Sequence, residues 1–403
     1  MRDFVLRNVR KVICGDGSVV DNATIVMKDK RIVAIGCGIS EPAGASIVDC
    51  SRLCALPGLI DTHCHVESAG LVPGADKDWS RELITIRAAA QIEAPLLTGT
   101  TTMVDGGCKG SVSFALREAL AKRIIRGPRL LVSGVMIRMT GGRANWGTEG
   151  EVDGADSARR ETRLMLAKGV DFVKLGATGA VSSPGMKQRS PQLTTEEMAA
   201  ACEEAHNAGL KVHSHAYGDE GIKYSIDAGA DVIVHGVSLN DENLSLMKSR
   251  SLMLMPTLSI YRAKQERVNE LPEWQRVKTL EVWEEVEVNF RRAREAGIEM
   301  VAGTDSGMVF NYFGRSSREL DYMVEWGMAP MDAIKTMTFS AARSVGLEQE
   351  IGVLEAGRIA DVLLTRGDPS EEIGVLGRPG GIASVIQSGI VTVSFDQSGK
   401  EIA

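Results

Sequence analysis

Two rhythms of hydrophobic and polar residues divide the chain. Near both ends, short β-rich runs are separated by turn dipeptides such as Asp16-Gly17, a pattern typical of strands in a small sheet. These runs cover residues 4–6, 23–27 and 31–36 at the start and residues 360–364, 382–386 and 390–393 at the end. Because chain termini often lie close together, we expect the two sets to pair into one composite β domain.

The long middle of the chain repeats a unit of helix, glycine and strand. Gly169, Gly209, Gly229 and Gly297 each follow a helical segment and precede a short apolar run. Glycine after the last helical residue is a common helix stop, since it readily adopts the left-handed conformation. We count about eight such strands between residues 55 and 310, and strands that alternate with helices favour a parallel sheet.

Two folds accommodate this alternation. An open doubly wound sheet fits it, but the chain has no G-x-G-x-x-G turn, and a span of about 290 residues favours a closed (β/α)8 barrel. The fold class is therefore predicted to be α/β, a TIM-like barrel with a small composite β-sandwich domain. We expect residues 1–57 and 349–403 to form the β domain and residues 58–348 to form the barrel.

Composition narrows the classes of partner. The chain has 46 Lys and Arg against 53 Asp and Glu, a net charge of −7, which argues against nucleic acid as a partner. No apolar run approaches the roughly 20 residues of a membrane helix, and the amino terminus lacks a secretory h-region. Seven cysteines without a CxxC pair indicate reduced thiols. These features predict a cytoplasmic protein with no nucleic-acid or membrane partner.

Histidines are few and concentrated at predicted strand ends. His63 and His65 are two residues apart, so both imidazoles lie on one face of a strand, as two ligands of one metal require. The carboxyl ends of barrel strands share one mouth, where His215, His235 and Asp305 would complete a zinc-type ligand set. His213 stands in the same relation to His215, and spacing alone does not choose between them.

Lys174 follows a mostly apolar run and is predicted to point into the same mouth. Burying an unpaired ammonium group is costly. The lysine is therefore expected to be paired, chemically modified or placed at a wet edge of the barrel.

Several of these segments resemble motifs of one known superfamily. Residues 56–65 resemble the opening signature of the amidohydrolase superfamily. Residues 169–174, 177–179 and 183–185 are similar to the carboxylated-lysine strand of its imidazolonepropionase-like and prolidase-like branch, which includes Xaa-Pro dipeptidases and metal-dependent carboxypeptidases. Further matches to that branch, which extend the resemblance over essentially the whole chain, occur at residues 215–218, 234–236, 303–305 and 351–361.

The resemblance implies a site with two divalent metal ions, expected to be zinc. It assigns the first ion to His63, His65 and Asp305, and the second to His215 and His235. It implies that Lys174 is carbamylated and bridges both ions. Asp305 would also act in catalysis by accepting a proton and passing it to the leaving amine. On this assignment His213 is not a ligand and supports the site or faces the substrate.

Departures from the family pattern concern the substrate. Arg143 follows Thr-Gly-Gly where peptidase-like members carry a histidine, and Tyr217 replaces another expected histidine. Arg143 is expected either to clamp a substrate carboxylate or to pair with Glu149 or Asp153 at the rim. Tyr261 occupies the position of a tyrosine that contacts the substrate carboxylate in this branch.

Together these features predict a metal-dependent hydrolase of an amide-type C–N bond in a dipeptide, an N-acyl amino acid or a related small amide or carbamate. The alternatives are a cyclic-amide hydrolase of imidazolonepropionase type and an inactive barrel that serves as a binding module. An inactive barrel is disfavoured because all six ligand positions are filled. A deaminase is disfavoured because it usually uses one metal without the carbamylated lysine. We expect a homo-oligomer that acts on a small molecule.

Overall fold

The computed structural model describes residues 3–68, 70, 79–142, 148–396 and 399–401. Within them the chain forms a TIM-like (β/α)8 barrel and a separate sheet of strands from both ends. The predicted α/β fold is confirmed.

Strands from the two ends of the chain form one eight-stranded sheet. Its strands are β1 Phe4–Ile13, β2 Val19–Lys28, β3 Arg31–Gly36, β4 Ser46–Asp49, β5 Cys54–Pro57, β16 Val362–Thr365, β17 Ile382–Gln387 and β18 Ile390–Ser394. Their order is β18-β17-β16-β5-β1-β2-β3, with β4 beside β1. β5 and β16 run antiparallel with Ala55 opposite Leu364, so this pairing joins the beginning of the chain to its end.

Eight parallel strands form the barrel. They are β6 Leu59–Cys64, β7 Thr100–Asp105, β8 Arg129–Val132, β11 Val173–Gly176, β12 Val212–Ala216, β13 Val232–His235, β14 Met253–Met255 and β15 Glu299–Met300. Bridges from Ile137 to Leu175 and from Cys64 to Ser306 connect the three-stranded and five-stranded parts. A small ribbon of β9 (Arg138–Met139) and β10 (Glu151–Val152) lies outside this ring.

Helices cover the barrel and connect its strands. They are α1 Arg81–Gln91, α2 Ala94–Leu97, α3 Val112–Ala121, α4 Ala155–Ala167, α5 Thr195–Asn207, α6 Asp219–Ala228, α7 Asp241–Ser249, α8 Leu258–Glu266, α9 Glu273–Glu295, α10 Ser317–Glu325, α11 Pro330–Thr336 and α12 Phe339–Ser344. The predicted glycine stops are confirmed, since Gly169, Gly209, Gly229 and Gly297 all have φ between 72° and 94°. Among the described helices, none has the length and apolar sequence needed to cross a bilayer.

Contacts in the fold set the strand boundaries at two apolar runs of the sequence. The run at residues 56–61 is divided between β5 and β6 at Gly58, where the chain leaves the sheet and enters the barrel. A Cβ atom at Gly58 would lie 2.2 Å from Oγ1 of Thr101, so only glycine fits this crossing. The run predicted to end at Lys174 instead begins at Val173 and continues to Gly176. Lys174 therefore lies inside the strand, in register with His213 of β12.

Candidate metal centre

The predicted ligands meet at the carboxyl ends of the barrel strands. His63 lies in β6 with His65 directly after it, His215 lies in β12, and His235 ends β13. The ring centroids are 5.1 Å apart for His63 and His65, 5.8 Å for His63 and His235, and 4.6 Å for His215 and His235. All four rings are at least 95 % buried. The strand-end spacing seen in the sequence thus produces one compact cluster.

Asp305 joins this cluster from the loop after β15. Its Oδ1 atom lies 3.4 Å from Nε2 of His63 and 3.2 Å from Nε2 of His65. One donor atom from each of His63, His235 and Asp305 lies within 4.8 Å of the other two. Imidazole nitrogen together with carboxylate oxygen is the donor set that zinc-type ions accept.

Hydrogen bonds outside the cluster orient two of the rings. His65 donates from Nδ1 to the carbonyl oxygen of Gly107 over 3.0 Å, and His215 donates from Nε2 to that of Gly179 over 3.0 Å. Because a carbonyl only accepts, the bonded nitrogen carries the hydrogen, and in the neutral ring the opposite nitrogen carries the lone pair that a metal ion would bind. Metal-binding histidines in proteins are typically held in this way.

Electrostatics in the cluster favour a neutral His63 and an ionised Asp305. Burial, with the nearby charge of Lys174, lowers the pKa of His63 to about 3, so its ring is neutral at physiological pH. Burial alone would raise the pKa of Asp305, but the contacts with His63 and His65 hold it well below its ordinary range. These protonation states are the ones a divalent cation requires of its ligands, so the residues fit such an ion.

Lys174 lies deeper in the barrel than this cluster, at the level of His213. It is 1 % exposed, and its positive charge contributes to the lowered pKa of His63. Its neighbour in register, His213, does not join the cluster. His213 donates from Nε2 to the carbonyl oxygen of Ser344 over 2.8 Å, and its ring packs 4.7 Å from that of Phe172. His213 is fully buried and lies two residues before His215 in β12, so it is deeper in the barrel than the mouth.

Asp61, a residue for which the sequence predicts no role, connects β6 to the loop after β15 that contains Asp305. Asp61 in β6 is fully buried, and its carboxylate accepts hydrogen bonds from the backbone and side chain of Thr304, at 3.0 and 2.6 Å. It also accepts from the backbone N–H of His63 and from Oγ of Ser316. Asp61 therefore fixes His63 relative to the residue that precedes Asp305. The sequence signal for Asp61 was an acid at the end of the apolar run at residues 56–60.

Two of the predicted ligands have strained backbones. His235 has φ of 75° and Asp305 has φ of 59°, in the left-handed region that residues other than glycine rarely adopt. Such conformations concentrate at functional sites, where the surrounding structure enforces them. Room for the His63 ring also depends on glycine, since a Cβ atom at Gly106 would lie 2.4 Å from Cε1 of His63.

Two tyrosines lie beside the histidine rings of the cluster. The ring of Tyr217 is centred 5.0 Å from His215 and 4.8 Å from His235, and that of Tyr261 is centred 6.2 Å from His235. Both tyrosines are 3 % exposed. Two of the residues expected to bind substrate thus form an aromatic wall of the cluster, whereas Arg143 lies outside the described residues.

Comparison with known proteins agrees with this geometry. Residues 54–391 match the model of the amidohydrolase family. Ochratoxinase of Aspergillus niger is 27 % identical over 418 residues, which cover 94 % of this chain and 84 % of the relative.

Two solved structures resemble nearly the whole chain. The structure of a Xaa-Pro dipeptidase with bound methionine in the active site is 30 % identical with a TM-score of 0.90, covering 96 % of this chain and 99 % of its own. A prolidase complexed with N-methylphosphonate-L-proline is 25 % identical with a TM-score of 0.89, covering 97 % and 99 %. The chain therefore belongs to the amidohydrolase family, in its prolidase-like branch, and is a hydrolase of amide carbon–nitrogen bonds.

Proposed function

We propose that this protein is a two-metal amidohydrolase that cleaves the amide bond of a dipeptide, an N-acyl amino acid or a related small amide or carbamate. One observation carries the proposal: four buried imidazoles and an ionised carboxylate from separate segments of the chain converge at the mouth of the barrel. A barrel does not need four buried histidines for its stability, whereas imidazole nitrogen and carboxylate oxygen are the donors that zinc-type ions bind.

The proposed ligands divide into two groups. His63, His65 and Asp305 would hold one ion, and His215 and His235 the other, with zinc the expected metal. When bound, such ions lower the pKa of water towards neutrality and polarise a carbonyl group.

Lys174 is proposed to act as a carbamate. Its unprotonated Nζ adds to carbon dioxide, which forms an N–C bond and releases a proton. The resulting anion would give each ion an oxygen ligand. This modification also resolves the cost of burying an ammonium group at 1 % exposure.

Asp305 is proposed to transfer the proton. Its carboxylate, already ionised in this environment, accepts a proton from the attacking water and delivers it to the leaving nitrogen as the C–N bond breaks. The products are a carboxylic acid and an amine. Asp61, through Thr304, holds Asp305 at the required position.

The proposed substrate class rests on the aromatic wall and on the relatives. Tyr217 and Tyr261 adjoin the histidines of the second ligand group, where they would contact a substrate side chain or carboxylate. The structural relatives named above are a Xaa-Pro dipeptidase and a prolidase, which favours substrates with an amino-acid carboxylate beside the scissile bond. Arg143 is proposed from its sequence position to clamp that carboxylate.

The test is hydrolysis of a panel of dipeptides, N-acyl amino acids, cyclic amides and neutral amides by the zinc-loaded protein, with each acid matched to its own carboxamide. We expect wild type to prefer the acids and Arg143→Met to lose that preference. Equal rates on acid and carboxamide would exclude the clamp and indicate a general amide hydrolase. Turnover of cyclic amides alone would replace the proposed substrate class with the imidazolonepropionase type. No hydrolysis of any compound would contradict the proposal.

A further inference from the structure

The connection from β14 to α8 contains a strained residue beside the metal centre. Thr257, which immediately precedes α8, has φ of 51° and ψ of 50° and is fully buried. A β-branched residue in the left-handed region is a true outlier, because its side chain crowds the backbone. The surrounding structure must therefore hold Thr257 in this conformation.

A buried carboxyl group from another helix supplies the restraint. Glu319 in α10 is 0 % exposed, and its oxygens accept hydrogen bonds from the N–H groups of Leu258 and Ser259, both at 2.7 Å. One of these oxygens also lies 2.6 Å from Oγ of Ser259. These N–H groups belong to the first turn of α8, where no intrahelical acceptor exists. The side chain of Thr257 does not cap the helix, so Glu319 takes that role and fixes where α8 begins.

The hydroxyl of Thr257 is thereby directed at a proposed zinc ligand. Its Oγ1 atom lies 2.8 Å from Nδ1 of His235, whose own backbone is left-handed with φ of 75°. With Nδ1 engaged by the hydroxyl, Nε2 is the nitrogen that serves as metal donor. A small rotation of the His235 ring would misdirect that nitrogen.

We propose that Glu319 and Thr257 act together as positioning residues for His235. Glu319 fixes the start of α8, the start of α8 places the Thr257 hydroxyl, and the hydroxyl sets the ring orientation and tautomer of His235. This role assumes that His235 is a zinc ligand, as proposed above. In this proposal both residues act through His235 and not by contact with the substrate.

The experiment measures zinc affinity by chelator competition and zinc content by elemental analysis, in the full-length protein. Thr257→Val removes the hydroxyl but keeps the side-chain shape, and Thr257→Ser restores the hydroxyl. Thr162→Val is the matched control, because Thr162 is equally buried in α4 and bonds only within its helix. We expect Thr257→Val to weaken one of two zinc sites by about 10- to 100-fold, and Thr257→Ser and Thr162→Val to retain both.

Glu319→Gln tests the first link, because an amide donor would face an N–H group of α8. Glu319→Gln should weaken the same zinc site. If Glu319→Gln does not fold, the zinc affinity of Thr257→Val tests the positioning role by itself. His235→Ala separates the two hypotheses. If it loses one site while Thr257→Val keeps both within twofold, the positioning role is wrong and the ligand assignment stands. If His235→Ala keeps both sites, the proposed ligand set is itself wrong, and the positioning role with it.

Discussion

Replacing Asp61 by asparagine should weaken both the fold and the proposed metal centre. One carboxylate oxygen of Asp61 accepts from the hydroxyls of Thr304, at 2.6 Å, and Ser316, at 3.1 Å. In Asp61→Asn an amide nitrogen, which only donates, would replace one of the two accepting oxygens. The hydrogen bonds that remain would no longer be made to a charged group. Hydrogen bonds to charged groups contribute about 1.5–3 kcal/mol each.

The net loss should be smaller than the sum of these bonds. Burial raises the pKa of Asp61, which shows that the charged form bears a desolvation cost that the neutral amide avoids. We therefore expect the free energy of unfolding to fall by about 1.5–3 kcal/mol, the value of one such bond. Because Asp305 follows Thr304, zinc affinity of the first ligand group should also fall by about 10- to 100-fold.

Urea denaturation and chelator competition measure the two effects, and Asp361→Asn is the matched control. Asp361 is also buried and accepts from Arg129 and from the N–H of Ser388, both at 2.7 Å, but it lies at the junction with the terminal sheet. Its variant should lose stability and keep zinc affinity. The reasoning is refuted if Asp61→Asn binds zinc within twofold of wild type, or if Asp361→Asn loses as much affinity as Asp61→Asn.

Three further outcomes are expected. Lys174→Ala should lose nearly all turnover and recover part of it with short-chain carboxylic acids in a steady-state assay; normal activity of the variant would exclude the carbamate. Asp305→Asn should lower kcat by roughly 10² or more at unchanged zinc content, the scale of lost acid–base catalysis, and a change of only a few-fold would assign proton transfer elsewhere. Burial raises the pKa of Glu319 from 4.5 to about 8, so the folded protein holds this proton more tightly than the unfolded chain. The stability that this proton contributes is complete below pH 4.5 and is lost as pH rises through about 8. The urea midpoint should therefore fall less steeply over this range in Glu319→Gln than in wild type, and identical slopes would exclude the shift.

Much of the cluster follows from local rules of sequence. The i, i+2 spacing of His63 and His65 places both rings on one side of β6, and the barrel brings the other strand ends to the same mouth. Glycine stops located the helices because the left-handed conformation is a local property of the chain.

The remaining features depend on contacts between distant segments. Glu319 lies in an amphipathic helix, and nothing near it in the sequence indicates that it caps α8 some sixty residues earlier. His213 and His215 share a spacing that does not reveal which lies at the mouth; the start of β12 and the Ser344 carbonyl decide it. The strand that contains Lys174 likewise extends beyond the lysine, to Gly176, because pairing with β12 and not the local apolar run determines where this strand ends.

The most direct test of the two-metal centre is anomalous diffraction at the zinc edge from crystals of protein produced with zinc. We expect two peaks at the barrel mouth, with density that continues from Nζ of Lys174 to both. The first peak should lie among His63, His65 and Asp305, and the second beside His215 and His235. A single peak, peaks away from these side chains, or an unmodified Lys174 would contradict the proposed centre.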